Sequence, residues 1–380
     1  MKRGTTKFSV LMGGNGVANL VFTSYYALYL KDFGYSDFKI GIAMMWSMLS
    51  CLVCQLAFGY LADKYNCFKQ IVLGVFVVAT ASLPLLFIFS DSPEFVIAFS
   101  IMAVGSVLSI SGVLDSWVAK MGNVDYGKVR AVSSITYALA SIILGRVFAA
   151  IGNSSAVYFA VAVFIIVLCA IIALKNPTPI KDVDKMTIGK SFMYLKSNYC
   201  FLIVLVGSFL LGISSANHSF LPTLVAKAGG AQPELGVVFF VTAAVEVVVM
   251  MSFQKIGKKF GAVHLLTIGF FGFFAKLMAL SMSSQVWHIY AACLFQSVSY
   301  ALVIPATVMF FSEKIDRRYL ATALLINGAV MNISQMITTP FFGLLSENSG
   351  VNTMYVVSAM PMLLAGIIFM FAQKRLLIKS

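Results

Sequence analysis

A chain of 380 residues would ordinarily make two or three soluble domains, but here 60% of residues are hydrophobic and only 11% are charged. That leaves too little charge to cover a water-facing exterior, which excludes a soluble enzyme and makes the chain a polytopic membrane protein. The net charge of +13 does not signal a nucleic-acid partner, because the basic residues fall in short breaks between apolar runs, where the positive-inside bias puts them.

Crossing a bilayer takes about 20 apolar residues, and such runs lie at roughly 8–30, 40–62, 70–90, 95–118, 129–151, 155–174, 199–221, 235–254, 261–283, 287–311, 320–345 and 352–373. The first follows Met1-Lys2-Arg3, has no cleavage-site pattern and leads into further spans, so it reads as a retained helix. With a cytoplasmic N-terminus, the even-numbered breaks are cytoplasmic and collect the basic residues, with Lys31, Lys39, Lys227, Arg146 and Lys276 as exceptions. The opposite breaks hold Asp32, Asp37, Asp91, Glu94, Glu234 and Glu347. This asymmetry predicts a multi-pass protein of the cytoplasmic membrane with both termini inside. The longest break, basic and carrying Pro177 and Pro179, divides the chain into a six-helix bundle over 1–174, a cytoplasmic linker over 175–198 and a second six-helix bundle over 199–380. Two such halves predict an all-α, pseudo-symmetric transporter with its substrate site near the midplane.

Along the chain, the second span ends in Gly59-x-x-x-Asp63-Lys64. The glycine permits close helix contact, and an acid at a helix mouth can latch onto neighbouring helix N-termini and basic side chains. The bland alternative is an exit turn with solvated charges. Cys51-x-x-Cys54 sits within an apolar run with no second pair at metal spacing, so no metal or redox role is assigned.

Asp115 closes the fourth span and Arg130 opens the fifth across a tight turn. From Arg130, a rotation of about 100° per residue brings Ser134, Tyr137 and Ser141 within roughly 40° of one face. Arg146 lies about 160° away and does not belong to that stripe; it reaches the outer interface or pairs with Asp32 or Asp37. An apolar helix with its polar residues on one side lines something, and the Tyr137 ring offers a stacking face for a flat solute. Snorkelling of Asp115 and Arg130 to the interface, and packing of Tyr137, are the competing readings. Glu246 lies mid-span in V-T-A-A-V-E-V-V-V, and Lys276 in F-F-A-K-L-M. Charges at that depth cost several kcal/mol unless paired or hydrated, so they read as functional, with a structural ion pair as the alternative. His218, in Asn217-His-Ser-Phe-Leu-Pro222, reads as a hydrogen-bonded structural residue ahead of a proton relay.

The runs L-K-D-F-G-Y-S-D-F-K-I-G-I, Q-L-A-F-G-Y-L-A-D-K and L-D-S-W-V-A-K…D-Y-G-K-V-R…Y-A-L-A-S-I-I-L-G resemble the lactose-permease-like branch of the major facilitator superfamily, which includes oligosaccharide, nucleoside and phenylpropionate proton symporters. The resemblance covers essentially the whole chain and is most specific in the N-terminal half. It implies twelve transmembrane helices, a cytoplasmic gating motif at Gly59, Asp63 and Lys64, a substrate-binding acid at Asp115 and a substrate-binding arginine at Arg130. Tyr137 stands where the lactose permease has a sugar-stacking tryptophan. Glu246 matches a span-eight glutamate, and Lys276 falls where span nine usually has an arginine. Gln296 and Ser299 stand at about the places of the permease's His and Glu in span ten. The permease's span-seven acids and span-eleven lysine have no obvious counterparts, so coupling would rest on Glu246, with Lys276 responding to its charge.

The sequence therefore predicts a secondary active transporter, acting as a monomer in the lipid bilayer. It would import a small-molecule solute (a sugar or glycoside, a nucleoside or an aromatic acid) with a proton. No P-loop pattern is present, so the proton gradient is the expected energy source and no cofactor is expected. A drug/proton antiporter is the nearest rival, although span five carries no Gly-Pro signature and span four no arginine. A non-transporting sensor of the same shape is the other, and no catalytic set suggests an enzyme.

Overall fold

In lipid, every backbone N–H and C=O must be satisfied within its own segment, so long apolar runs become helices. The computed structural model describes residues 3–89, 91–121, 124, 126–152, 155–174, 176 and 188–378, and among these all regular structure is helical. Helix α1 comprises Arg3–Leu20, a π turn at Val21–Tyr25 and Tyr26–Asp32. Then come α2 (Asp37–Tyr65), α3 (Phe68–Phe89) and α4, made of Pro93–Phe99, a π turn at Ser100–Gly105 and Ser106–Lys120. Helices α5 (Tyr126–Ile151) and α6 (Ser155–Ile172) follow, then a short linker helix, Ile188–Ser197. Helix α7 comprises Tyr199–Ser215, a 3-10 turn at Ala216–Phe220 and Leu221–Lys227. After it come α8 (Gln232–Phe260), α9 (Ala262–Ser281) and α10, made of Val286–Leu294, a 3-10 turn at Phe295–Val298 and Tyr300–Lys314. Helices α11 (Arg317–Ser349) and α12 (Val351–Ile378) close the chain.

Among the described residues, nine helices are long and apolar enough to cross a membrane. The expected spans at 8–30, 155–174 and 320–345 are also helical but lie outside those nine. Helix α1 is diluted by Gly13, Gly14, Asn15, Gly16 and Asn19, and α11 by Asn327, Asn332, Ser334 and Gln335, whereas α6 has a shorter apolar stretch, Tyr158–Ile172. Helix starts are capped where the chain re-enters: Ser36 accepts from Lys39 N, Ser92 from Phe95 N ahead of Pro93, and Asn198 from Phe201 N.

The interruptions fall in α1, α4, α7 and α10, the first and fourth spans of each sequence half. Discontinuous helices at corresponding places in two repeats point to a transport site. The freed backbone groups find partners. Thr23 Oγ1 donates to Asn19 O at 2.7 Å, and Ser50 Oγ to Ile101 O at 2.6 Å. Ser100 Oγ donates to Val96 O at 2.8 Å and shares a 2.7 Å hydrogen bond with Tyr26 OH.

The chain forms two compact units, Met1–Ile180 with Ser219–Ala243, and Lys181–His218 with Ala244–Ser380. In the first, Phe8 packs edge-on to Trp117 at 5.3 Å, and Phe164 touches both Phe22 and Phe76. In the second, Phe201 meets Phe311, and Phe270 meets Phe369. Each offset or edge-on pair contributes about 0.5–1.5 kcal/mol beyond the area it buries.

Candidate functional site

In the first unit, α1, α4 and α5 turn polar faces toward one another. Gly13 and Gly16 let α1 lie close on α5: a Cβ at Gly13 would stand 3.2 Å from Thr136 Cγ2, and one at Gly16 would stand 2.5 Å from Ser133 O. That close crossing brings Ser24 Oγ to 3.4 Å from Tyr137 OH. On the side toward α4, Asn15 Nδ2 donates to Ser111 Oγ at 3.2 Å; Asn19 Nδ2 donates to Asn15 O at 2.8 Å and reaches Ser111 Oγ at 3.5 Å. One turn beyond Ser111 on α4, Asp115 pairs with Arg130 of α5 at 3.5 Å. The pair is solvated, with half of the arginine side chain and a third of the aspartate exposed, so its net contribution to stability is about 0–1 kcal/mol. Its value lies in placing two opposite charges at one end of a polar face that continues through the half-buried Ser134 and Tyr137.

Ser141 has a different setting. It is fully buried, its hydroxyl donates to Ala138 O, and its carbonyl accepts from Tyr25 OH at 3.0 Å. A Cβ on Gly236 of α8 would collide with that same carbonyl, and one on Gly145 would stand 2.6 Å from Gln232 O, so α5 and α8 cross here backbone to backbone. Tyr25 seals the crossing with its ring 4.7 Å from Phe148 and 6.0 Å from Phe239. Nearby in the chain's order, Lys31 Nζ donates to Asp37 at 3.1 Å and to Thr223 Oγ1 at 2.6 Å, and Thr223 in turn donates to Asp37. Asp37, one of two acids open to Arg146 from the sequence, is held by Lys31, and Arg146 is exposed.

In the second unit, the two intramembrane charges are linked by an amide. Lys276 Nζ of α9 donates to Gln296 Oε1 at 2.7 Å, and Gln296 Nε2 donates to Glu246 Oε2 of α8 at 3.3 Å. Gln296 is buried and sits in the 3-10 turn of α10. Glycines on α9 make room for that turn: a Cβ on Gly272 would run into Val298 O, and one on Gly269 would stand 2.5 Å from Val303 Cγ2. The Lys276 ammonium also lies 5.7 Å from the centre of the Phe273 ring. His218 and Cys293 stand within electrostatic reach of Lys276, and Tyr300 within that of Glu246. The amide's carbonyl faces the cation and its N–H the anion, so each charge receives the dipole end it requires. Replacing Gln296 with leucine removes one hydrogen bond from each buried charge; we expect a loss of about 1–3 kcal/mol of stability, read as a lower melting temperature of the purified protein. An unchanged melting temperature would contradict this bridge.

At the end of α2, nothing among the described residues beyond the helix's own backbone lies within 4 Å of where a Cβ on Gly59 would stand. Lys64 is exposed, its ammonium 5.2 Å from the ring centres of both Tyr60 and Tyr65, whose hydroxyls raise its pKa. The Asp63 side chain lies outside the described residues.

The polar residues that the sequence reading passed over are Asn15, Asn19, Ser111 and, as a bridge, Gln296. Asn15 and Asn19 are four apart in an apolar run, a visible signal. The placement of Gln296 depends on a helix break that no Gly or Pro marks within Phe295–Val298.

Membrane-crossing helices, broken in corresponding places and carrying charges within their apolar spans, define a multi-pass membrane transporter. The MFS_1 like family matches residues 20–355, and the chain belongs to that family. An uncharacterized transporter of Bacillus subtilis (strain 168), YwbF, is 25% identical over 312 residues, spanning 80% of this chain and 77% of its own. The uncharacterized MFS-type transporter MJ1560 of Methanocaldococcus jannaschii is 24% identical over 377 residues, spanning 96% and 95%. Among solved structures, the nucleoside transporter NupG superposes with a TM-score of 0.81 at 13% identity, covering 98% of this chain and 99% of that one. A POT family transporter in complex with 5-aminolevulinic acid gives 0.72 at 12% identity, covering 98% and 96%. At such identities these two likenesses concern the fold, which is that of the major facilitator superfamily.

Proposed function

We propose that this transporter imports a small organic solute together with a proton across the cytoplasmic membrane by alternating access, with both termini cytoplasmic. The moving parts are the six-helix halves 1–174 and 199–380, joined by 175–198. The observation that carries the reading is the hydrogen-bonded chain Lys276–Gln296–Glu246 inside apolar helices. An ionisable group kept at that depth despite its cost is the mark of an ion pathway. When Glu246 takes up a proton its charge is lost, the hold on the Gln296 N–H weakens, and Lys276 remains as the local charge. In this reading, protonation is thus felt through one amide by a second helix. The solute is held in the first unit by Asp115, Arg130, Ser134 and Tyr137, a face that combines charge, hydroxyl and aromatic ring. The fold neighbour NupG is a nucleoside transporter, which keeps nucleosides in the panel of solutes beside glycosides and aromatic acids.

The test is equilibrium binding to the purified protein across that panel. Arg130→Ala is expected to abolish binding while inserting in the membrane at native levels; native affinity in this variant would refute the site. Counterflow in proteoliposomes separates a transporter from a sensor of the same fold, because a sensor binds and exchanges nothing.

A further inference from the structure

We infer that Asn19, backed by Asn15 and Ser111, is a second solute-reading element of the first unit, and that it takes a neutral, hydroxylated solute. The inference rests on the proposed use of that unit's polar face as the solute site, and it adds the ligand's chemistry.

The carboxamides of Asn15 and Asn19 both direct an N–H toward one oxygen, Ser111 Oγ. Three capacities are left over. Asn15 is 1% exposed, and its Oδ1 has no hydrogen-bond partner. Turning that amide over only exchanges which of its atoms is left over. Asn19 and Ser111 are half-buried, and the N–H bonds that tie them together use neither the carbonyl oxygen of Asn19 nor the hydroxyl proton of Ser111. A buried carboxamide with unused capacity is costly, and ordinary packing would have removed it. A carbonyl oxygen asks for a donor, and a hydroxyl proton asks for an acceptor; a solute hydroxyl is both. A carboxylate ligand could accept from the Ser111 hydroxyl but brings no donor for the Asn19 carbonyl oxygen, whose side of the amide is fixed by the N–H given to Asn15 O. The charges nearby do not favour an anion either, because Arg130 is already paired with Asp115. Together with the Tyr137 ring, about two helical turns beyond Arg130, the set suits a nucleoside or a glycoside and disfavours an aromatic acid.

The experiment uses the full chain, purified in detergent, with uridine and methyl β-galactoside as neutral probes and 3-phenylpropionate as the anionic one. A neutral probe is expected to raise the melting temperature by mass action, and the anion to leave it unchanged. Asn19→Leu, and Asn19→Ser as the variant that keeps a small polar side chain, should each weaken binding of that neutral probe about tenfold, the usual scale of one lost hydrogen bond. A monodeoxy analogue lacking the hydroxyl read by Asn19 should lose the same factor on the native protein and nothing further on Asn19→Leu, a coupling that a purely structural asparagine would not produce. Native affinity in both Asn19 variants, with binding lost in Arg130→Ala, overturns this inference and leaves the proposed site standing. Native affinity in Arg130→Ala as well overturns both. Stabilisation by 3-phenylpropionate, or by neither neutral probe, overturns the assigned class of solute.

Discussion

Glu246→Gln is expected to abolish uphill accumulation of solute while leaving exchange between equal concentrations intact. Glutamine keeps the size of the side chain and a carbonyl oxygen to accept from Gln296 Nε2, so the 3.3 Å contact survives. What is lost is the ability to bind and release a proton. Accumulation needs a full cycle in which the proton leaves on the far side; exchange needs only reorientation of the loaded protein. The protonated acid and the amide resemble each other, which fixes the variant in the loaded form. In the native protein, an ionised carboxylate within V-T-A-A-V-E-V-V-V costs several kcal/mol unless hydrogen-bonded, and the Gln296–Lys276 chain offsets part of that cost. Loss of accumulation and exchange together would instead make Glu246 a binding or structural residue.

Gly236→Leu is expected to reduce uptake to background while preserving solute binding. In the first unit, the backbone of α8 at Gly236 lies on the Ser141 carbonyl of α5, and the same carbonyl accepts from Tyr25. A leucine cannot enter that crossing unless the helices part. Overpacking of this kind costs about 1–3 kcal/mol, comparable to the few kcal/mol that separate interconverting states. The population therefore moves to the state in which α5 and α8 are apart. A cysteine at position 141 reports this directly. Ser141→Cys, buried in the native arrangement, should become reactive to a membrane-impermeant maleimide in the Gly236→Leu background. Native uptake with an unlabelled cysteine would show that the crossing does not need to be this close.

Much of the fold was legible because membrane physics leaves so few options. Sixty per cent apolar residues with nearly all charge in the breaks already implies helices throughout. Part of the candidate site's geometry was legible too. Asp115 and Arg130 flank a short turn, so their proximity followed from chain connectivity, and Glu246 and Lys276 stood out by their cost. What was hidden depends on neighbours. The angular stripe groups Ser141 with Ser134 and Tyr137, but only the fold shows α8 lying over Ser141. Asn15 and Asn19 drew no role from the sequence, since nothing local reveals that Ser111 of another helix faces them. Gln296 was placed only against a histidine of the permease; that it bridges two charges depends on an unmarked helix break and on glycines in α9.

The most direct measurement of the central claim is the internal pH of proteoliposomes loaded with a fluorescent pH dye, followed as uridine or methyl β-galactoside, whichever stabilises the protein, is added outside. The account predicts acidification of the lumen as solute enters, absent in Glu246→Gln. Solute entry with no change in internal pH would contradict proton coupling and the role given to Glu246.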